Sequence, residues 1–273
     1  MGESDAIEHR RLLAEDPELA RAVPPADRAE ALAELDVRTQ RIPAGPWTPP
    51  APPADDTLGL LVLEGKLLCR VSVGGRCGVE LVGEGDLVRP WPGAEQQAPD
   101  MDSAWTALSP ARLAWIDAAV IERLGRYPAL AARLLERALR GTRQLAAQLA
   151  IVHQPRVEDR LLLALWQLAG RWGRPRRDGV LVPARLTHAL LADLVAARRP
   201  TVTSALSQLA RRGRLRQVEG GWLLLGGPPA LLGASAVEQP PGPVALELEE
   251  GTHAPAEPKP AQAVSEREPA AAR

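Results

Sequence analysis

The sequence predicts an α+β fold: a cupin-like antiparallel β-barrel in the first half, one long helix in the middle, and a winged helix-turn-helix in the last third. Three observations carry this prediction. Short apolar runs punctuated by glycine fill residues 58–116, heptad-spaced apolar residues follow, and residues 155–226 hold 13 arginines against 5 acidic residues.

A chain of 273 residues has room for two domains with cores of their own. The hydrophobic fraction of 45% and the charged fraction of 25% are those of a soluble globular protein. No run approaches the roughly 18 apolar residues of a membrane span, so no membrane partner is expected. The N-terminus, MGESDAIEHRRLLAEDPELA, is charged throughout and lacks the apolar core of a secretory signal, which makes the cytoplasm the expected location. Cys69 and Cys77 are too few for a disulfide scaffold or a four-thiolate iron–sulfur site, and are read as packing residues.

Residues 1–40 carry apolar residues at helical spacing, Leu12, Leu13 and Leu19, then Ala29, Leu32 and Leu35, interrupted by Pro24-Pro25, and are read as two short helices. Prolines between Pro43 and Pro53 deny that stretch a central strand or a helix and make it a connecting loop. The barrel domain is placed at residues 41–117, where LGLLVLEG, KLLCRVSVGG, CGVELVGEGD, LVRPW, SAWTALSP and ARLAWID read as strands separated by glycine turns.

Residues 118–154 form the expected dimerisation helix and hinge. Ala131, Leu135, Ala138, Thr142, Leu145, Leu149 and Val152 recur at alternating four- and three-residue steps, a heptad seam that suits either a second copy of the chain or the chain's own barrel. Leu135, Ala138, Leu145, Leu149 and Val152 are the candidate dimer contacts, and Pro155 ends the helix. Residues 227–273, rich in Pro, Ala and Glu with 3 basic and 7 acidic residues, are expected to be a disordered acidic tail.

Residues 155–226 concentrate the positive charge, a surplus of eight, although the chain as a whole is formally −1. Such asymmetry is the footprint of one module that meets phosphate. Within it, Thr187 is suited to cap a helix that buries Leu190, Leu191 and Leu194. After a tight turn, Arg198, Arg199 and Pro200 open a second helix whose inward residues are Val202, Ala205, Leu206 and Leu209. Its other face offers Thr201, Thr203, Ser204, Gln208 and Arg211, short hydrogen-bonding side chains that can approach base edges and an arginine for phosphate. That helix ends at Gly213, and Leu215 to Leu225 reads as a hairpin with Gly220-Gly221 at its turn. A purely structural helical hairpin would show the same two helices, but not the arginines, the following wing and the local charge together.

The order of elements, the stretch LTHALLADLVAARRPTVTSAL and the barrel segment GDLVRPW resemble the Crp/Fnr family over about residues 40–226. The resemblance implies a homodimeric DNA-binding transcription regulator that is not an enzyme, with RNA polymerase as a further partner. It places Arg198, Arg199, Thr201, Thr203 and Ser204 where the family contacts DNA, and Thr187 where it touches phosphate. Two positions depart from the pattern. Ala196 replaces the usual turn glycine, tolerable if its backbone is not left-handed, and Pro200 replaces a glutamate that would accept a hydrogen bond from cytosine.

Relatives that bind cyclic nucleotides carry a Gly-Glu-Leu segment followed by Arg-Ser, for ribose hydroxyl and cyclic phosphate respectively. Here Gly85-Asp86 runs on to Arg89-Pro90-Trp91, and the later pair falls near Asp102-Ser103, whose carboxylate would repel a phosphate. The expected effector is therefore a different small molecule, or none. Arg89, Trp91 and Trp105 are the candidate ligand residues, because indoles with one arginine suit a flat or anionic molecule, although Trp91 and Trp105 also suit plain core. No cofactor or metal is expected. His9, His153, His188 and His253 are scattered away from both cysteines, and residues 58–116 contain no histidine for a cupin-type metalloenzyme. An interaction module that applies its winged helix to proteins is the other reading.

Overall fold

The computed structural model describes residues 7–52, 57–91 and 102–229. Of the expected acidic tail, residues 230–273 lie outside this range. The N-terminal part runs β1 (Ile7–Arg11), α1 (Leu12–Glu15), α2 (Pro17–Ala22), α3 (Arg28–Glu34), β2 (Asp36–Ile42), β3 (Gly45–Trp47), β4 (Gly59–Glu64), β5 (Lys66–Val73), β6 (Arg76–Gly83), β7 (Leu87–Val88), β8 (Asp102–Ala107) and β9 (Ala111–Ile116). Then follow α4 (Ala118–Leu124), α5 (Pro128–Val152), α6 (Val157–Trp172), β10 (Arg174–Arg176), β11 (Gly179–Val182), α7 (His188–Leu194), α8 (Arg199–Arg211), β12 (Leu215–Val218) and β13 (Gly221–Leu224).

The strands of the first half form two antiparallel sheets, β1-β2-β9-β4-β7 and β3-β8-β5-β6, rather than the closed barrel expected. The bordering strands β3 and β7 are three and two residues long, and Pro46 and Pro90 remove donors that closure would need. β3 also replaces part of the loop expected over Pro43–Pro53; its proline is tolerated because β3 is an edge strand. At the N-terminus, Ile7–Arg11 is a strand paired with β2, and the helices number three rather than two. Pro17 starts a new helix after Asp16, and β2 runs through the boundary expected at residue 40, tying the N-terminal segment into the sheet.

Alternation along the strands explains the layers. Leu60, Val62, Leu113 and Trp115 point between the sheets, where they meet Leu67, Cys69, Val82 and Trp105. Leu61, Ala114 and Ile116 point to the opposite face and pack under Leu12, Leu19, Leu35, Leu130 and Leu134 from the short helices and α5. Because helices cover this outer face, β4 is apolar on both sides and reads as a continuous run. Desolvation holds the buried Cys69 thiol at a pKa of about 11, which fits the packing role expected of it.

α5 has two faces. Leu130, Leu134 and Arg137 are buried against the N-terminal half, whereas Ala131, Leu135, Ala138, Thr142, Leu145 and Leu149 of the heptad seam are exposed and Val152 is half-buried. Arg137 pairs with Asp16 at 2.5 Å and with Glu18 at 3.1 Å. Asp16 also caps α2 by accepting from Leu19 N at 3.0 Å. Among the described residues, no helix is long and apolar enough to cross a membrane.

Removing one partner of a buried ion pair strands the other charge. Arg137→Ala should therefore lower the stability of the full chain by about 3 kcal/mol, read as a fall in the urea midpoint. A loss below about 1 kcal/mol would show that α2 is not tied to α5 by this pair.

Candidate nucleic-acid interface

The helix-turn-helix is built by two caps of the same kind. Thr187 starts α7, its hydroxyl accepting from Leu190 N at 3.2 Å. α7 ends with Ala197 N donating to Ala192 O at 2.9 Å and Ala196 N to Asp193 O at 3.3 Å, the two bonds of a Schellman turn. That turn needs a left-handed residue, and Ala196 supplies it with φ of +49°, the single non-glycine residue with positive φ among those described. The condition under which the replacement of glycine would be free of strain, a backbone outside the left-handed region, is therefore not met: the turn geometry overrides the side chain's preference. At the end of α8 the same motif recurs, with Arg214 N on Leu209 O at 2.9 Å, and there Gly213 takes the positive φ of 63°.

Val202, Ala205, Leu206 and Leu209 of α8 are buried, and Arg198, Arg199, Thr201, Thr203, Ser204 and Arg211 are exposed, with Gln208 half-buried. The candidate contacts therefore share the outward face of one helix, and Thr187 stands exposed at the start of α7. No carboxylate among the described residues pairs with Arg198 or Arg199; the ion pairs of this half are Arg70–Asp193, Arg171–Asp86 and Arg216–Asp178. β12 and β13 form the wing, with Glu219 and Gly220 as its two-residue turn, one position earlier than expected, and Gly221 begins β13. A Cβ on Gly221 would lie 2.0 Å from Val182 O. Trp222 Nε1 donates to Leu186 O at 3.2 Å and fastens the wing to the segment before α7.

Sequence reasoning missed the residues that orient this domain. Arg160 donates to Gln154 O at 2.5 Å and to Val195 O at 3.3 Å, linking the end of α5 to the turn before α8. Leu68, Val79 and Leu81, on the outer face of β5 and β6, share one buried cluster with α6, α7 and α8. Around them Arg70 pairs with Asp193 at 2.6 Å, Gln148 donates to Leu194 O, and Arg171 pairs with Asp86 while donating to Leu81 O at 2.8 Å. Burial raises the Asp86 pKa and lowers that of Arg171, and each partner opposes the shift of the other. A signal existed for the apolar part: KLLC lacks the alternation of a strand with one wet face.

The candidate ligand residues do not converge. Trp91 stacks on Trp115 with centroids 5.6 Å apart and donates to Pro50 O at 2.6 Å. Trp105 is buried between the sheets, edge-on to Trp47 at 6.1 Å. Arg89 is exposed beyond β7. The arginines over indoles are instead Arg38, 4.2 Å from the Trp115 centroid, and Arg171, 4.1 Å from that of Trp172. Asp86, adjacent to the segment compared with the cyclic-nucleotide cassette, accepts from Gly83 N at 2.8 Å and serves the domain seam. Among the described residues, His, Cys, Asp and Glu nowhere gather in threes that could hold a metal ion.

The described residues form a two-layer sheet domain followed, through a long helix, by a helix-turn-helix with a wing. Residues 159–232 match the family model described as the Crp-like helix-turn-helix domain. A cyclic-nucleotide-binding-domain-containing protein from Listeria monocytogenes EGD-e superposes with a TM-score of 0.58 at 16% identity, over 76% of this chain and 96% of that one. A CooA mutant from Carboxydothermus hydrogenoformans gives 0.54 at 17% identity, over 72% and 87%. FixK2 from Bradyrhizobium japonicum gives 0.54 at 15% identity, over 72% and 96%. A search of curated protein sequences finds no match. Residues 159–232 thus form a Crp-like helix-turn-helix domain, and the chain shares the fold of these structures, a sheet domain joined by a long helix to a helix-turn-helix.

A left-handed alanine costs roughly 1 kcal/mol that glycine avoids. Ala196→Gly should therefore raise the unfolding free energy by up to about 1 kcal/mol, less what glycine adds to unfolded-state entropy, read as a higher urea midpoint with an unchanged slope. A destabilised variant would contradict the left-handed turn.

Proposed function

We propose that this protein is a sequence-specific transcription regulator that binds a pseudo-palindromic DNA site as a homodimer in the cytoplasm. The observation that carries the reading is α8: its apolar face is buried, and its polar face is exposed behind Arg198 and Arg199, with which no carboxylate among the described residues pairs. A helix so presented can enter the major groove, where arginine contacts guanine edges or phosphate and short hydroxyls approach neighbouring bases.

The dimer follows from α5. Leu135, Leu145 and Leu149 are 61%, 44% and 63% exposed, and Ala138 lies on the same stripe. Four turns of apolar surface on a helix already anchored by its other face suit the same helix of a second copy. Such a pair would set two recognition helices on successive major grooves. In this reading the sheet domain governs DNA binding through the seam formed by Arg70–Asp193, Arg171–Asp86 and the hinge near His153 to Pro155. An effector other than a simple cyclic nucleotide would act by changing that seam, and Arg89, Trp91 and Trp105 are positions to test for its contact.

Replacing both Arg198 and Arg199 with Ala should weaken DNA binding by about 3 kcal/mol, from about 1 to 3 kcal/mol per good base contact. The log–log salt slope should fall by about one for each arginine that neutralises phosphate. Unchanged affinity in fluorescence anisotropy would remove α8 from the interface and favour a protein partner for the winged helix.

Leu145→Glu with Leu149→Glu should convert a dimer to a folded monomer in analytical ultracentrifugation and abolish tight binding to paired half-sites. A wild-type chain that sediments as a monomer at micromolar concentration would refute the seam.

A further inference from the structure

Three of the hydroxyls on the exposed side of α8 spend their single proton on the backbone one turn earlier. Thr203 Oγ1 donates to Arg199 O at 3.0 Å, Ser204 Oγ to Pro200 O at 3.2 Å and Ser207 Oγ to Thr203 O at 2.9 Å. A hydroxyl has one proton and two lone pairs, so these side chains offer only lone pairs outward.

Thr203 is held a second time. His188 Nδ1, in the first turn of α7, lies 3.0 Å from Thr203 Oγ1. With the threonine proton on Arg199 O, both bonds exist together only when the imidazole is the donor: Nδ1 carries hydrogen and the hydroxyl accepts it. One lone pair is used and one remains. The imidazole is braced in turn by Trp222, whose ring centroid is 6.2 Å away and whose own N–H is tied to Leu186 O.

In the major groove an acceptor-only group separates the bases sharply. Adenine N6 and cytosine N4 present hydrogen there, whereas guanine O6 and N7 and thymine O4 present lone pairs. We propose that Thr203 is a specificity-determining residue that reads the exocyclic amine of adenine or cytosine, and that His188 is the positioning residue that keeps its hydroxyl an acceptor. The inference rests on the DNA-binding reading of α8 and divides the labour on that surface. The arginines are the donors, suited to guanine and phosphate, and the threonine opposes guanine or thymine at its own base because lone pair would meet lone pair.

The test is in vitro selection with the full chain on a duplex library randomised over two half-sites, for the wild type, Thr203→Val, His188→Asn and His188→Ala. The wild type should enrich adenine or cytosine at one position of each half-site, and Thr203→Val, nearly the same shape without the hydroxyl, should lose that preference alone. Replacing the enriched adenine by 2-aminopurine, or the cytosine by 2-pyrimidinone, withdraws the amine from the major groove. Either change should weaken the wild type about tenfold and leave Thr203→Val unaffected. His188→Asn, which retains an N–H donor, should preserve the preference, and His188→Ala should blur it. In the free protein, nitrogen NMR above the imidazole titration range should find the hydrogen on Nδ1. Enrichment of guanine or thymine at that position, tolerance of the amine-lacking bases by the wild type, or hydrogen on Nε2 would overturn the assignment. Enrichment of no sequence by the wild type would overturn the DNA-binding reading itself, whereas enrichment unchanged by Thr203→Val would overturn only the role of the hydroxyl.

Discussion

The outer face of β5 and β6 cannot be left in water. Leu68, Val79 and Leu81 stand there, and the structure covers them with α6 and α7, so sheet and helices share one buried cluster. The polar contacts around this seam add orientation more than energy. Arg70 and Asp193 are 39% and 34% exposed, and ion pairs so wet contribute little. Arg171 and Asp86 are well buried, and desolvation opposes the charge on both, so that pairing mostly offsets the cost of burial. Apolar burial thus drives the domains together, and the charges determine in what register they meet.

That register decides where α8 points. α7 is held from the sheet side through Asp193, α5 reaches the same helix through Gln148 on Leu194 O, and Arg160 ties Gln154, just after α5, to the carbonyl of Val195. The turn between α7 and α8 is therefore gripped from two directions, and this grip lets it hold a left-handed alanine. A ligand or partner that alters the seam would move the recognition helix as a rigid piece, because the core of α6, α7 and α8 is continuous with the wing through Trp222 and Leu224.

Much of the helix-turn-helix was legible in the sequence because helical periodicity and caps are local signals. Val202, Ala205, Leu206 and Leu209 fall on the buried side as their spacing requires, Thr187 caps, and the seam residues of α5 from Ala131 to Leu149 lie on its exposed side. What escaped was non-local. β1 is a strand only because β2 pairs with it, and its own residues from Glu8 to Arg11 are all polar. Arg137 sits on the apolar stripe of α5, where the distant Asp16 and Glu18 make it acceptable. The polarity of Thr203 depends on His188, fifteen residues away in sequence, and no spacing rule joins them. For Trp91 and Trp105 the sequence leaves two roles open, ligand or core, and both pack in or against the cluster between the sheets.

If α8 and its arginines meet duplex phosphate, counterions must be released on binding. The most direct measurement is the affinity of the full chain for random-sequence duplex DNA as salt is raised. The expected result is a linear fall of log affinity with log salt, amounting to about a hundredfold or more between roughly 50 and 200 mM. A flat response, or no binding at the lowest salt, would contradict it.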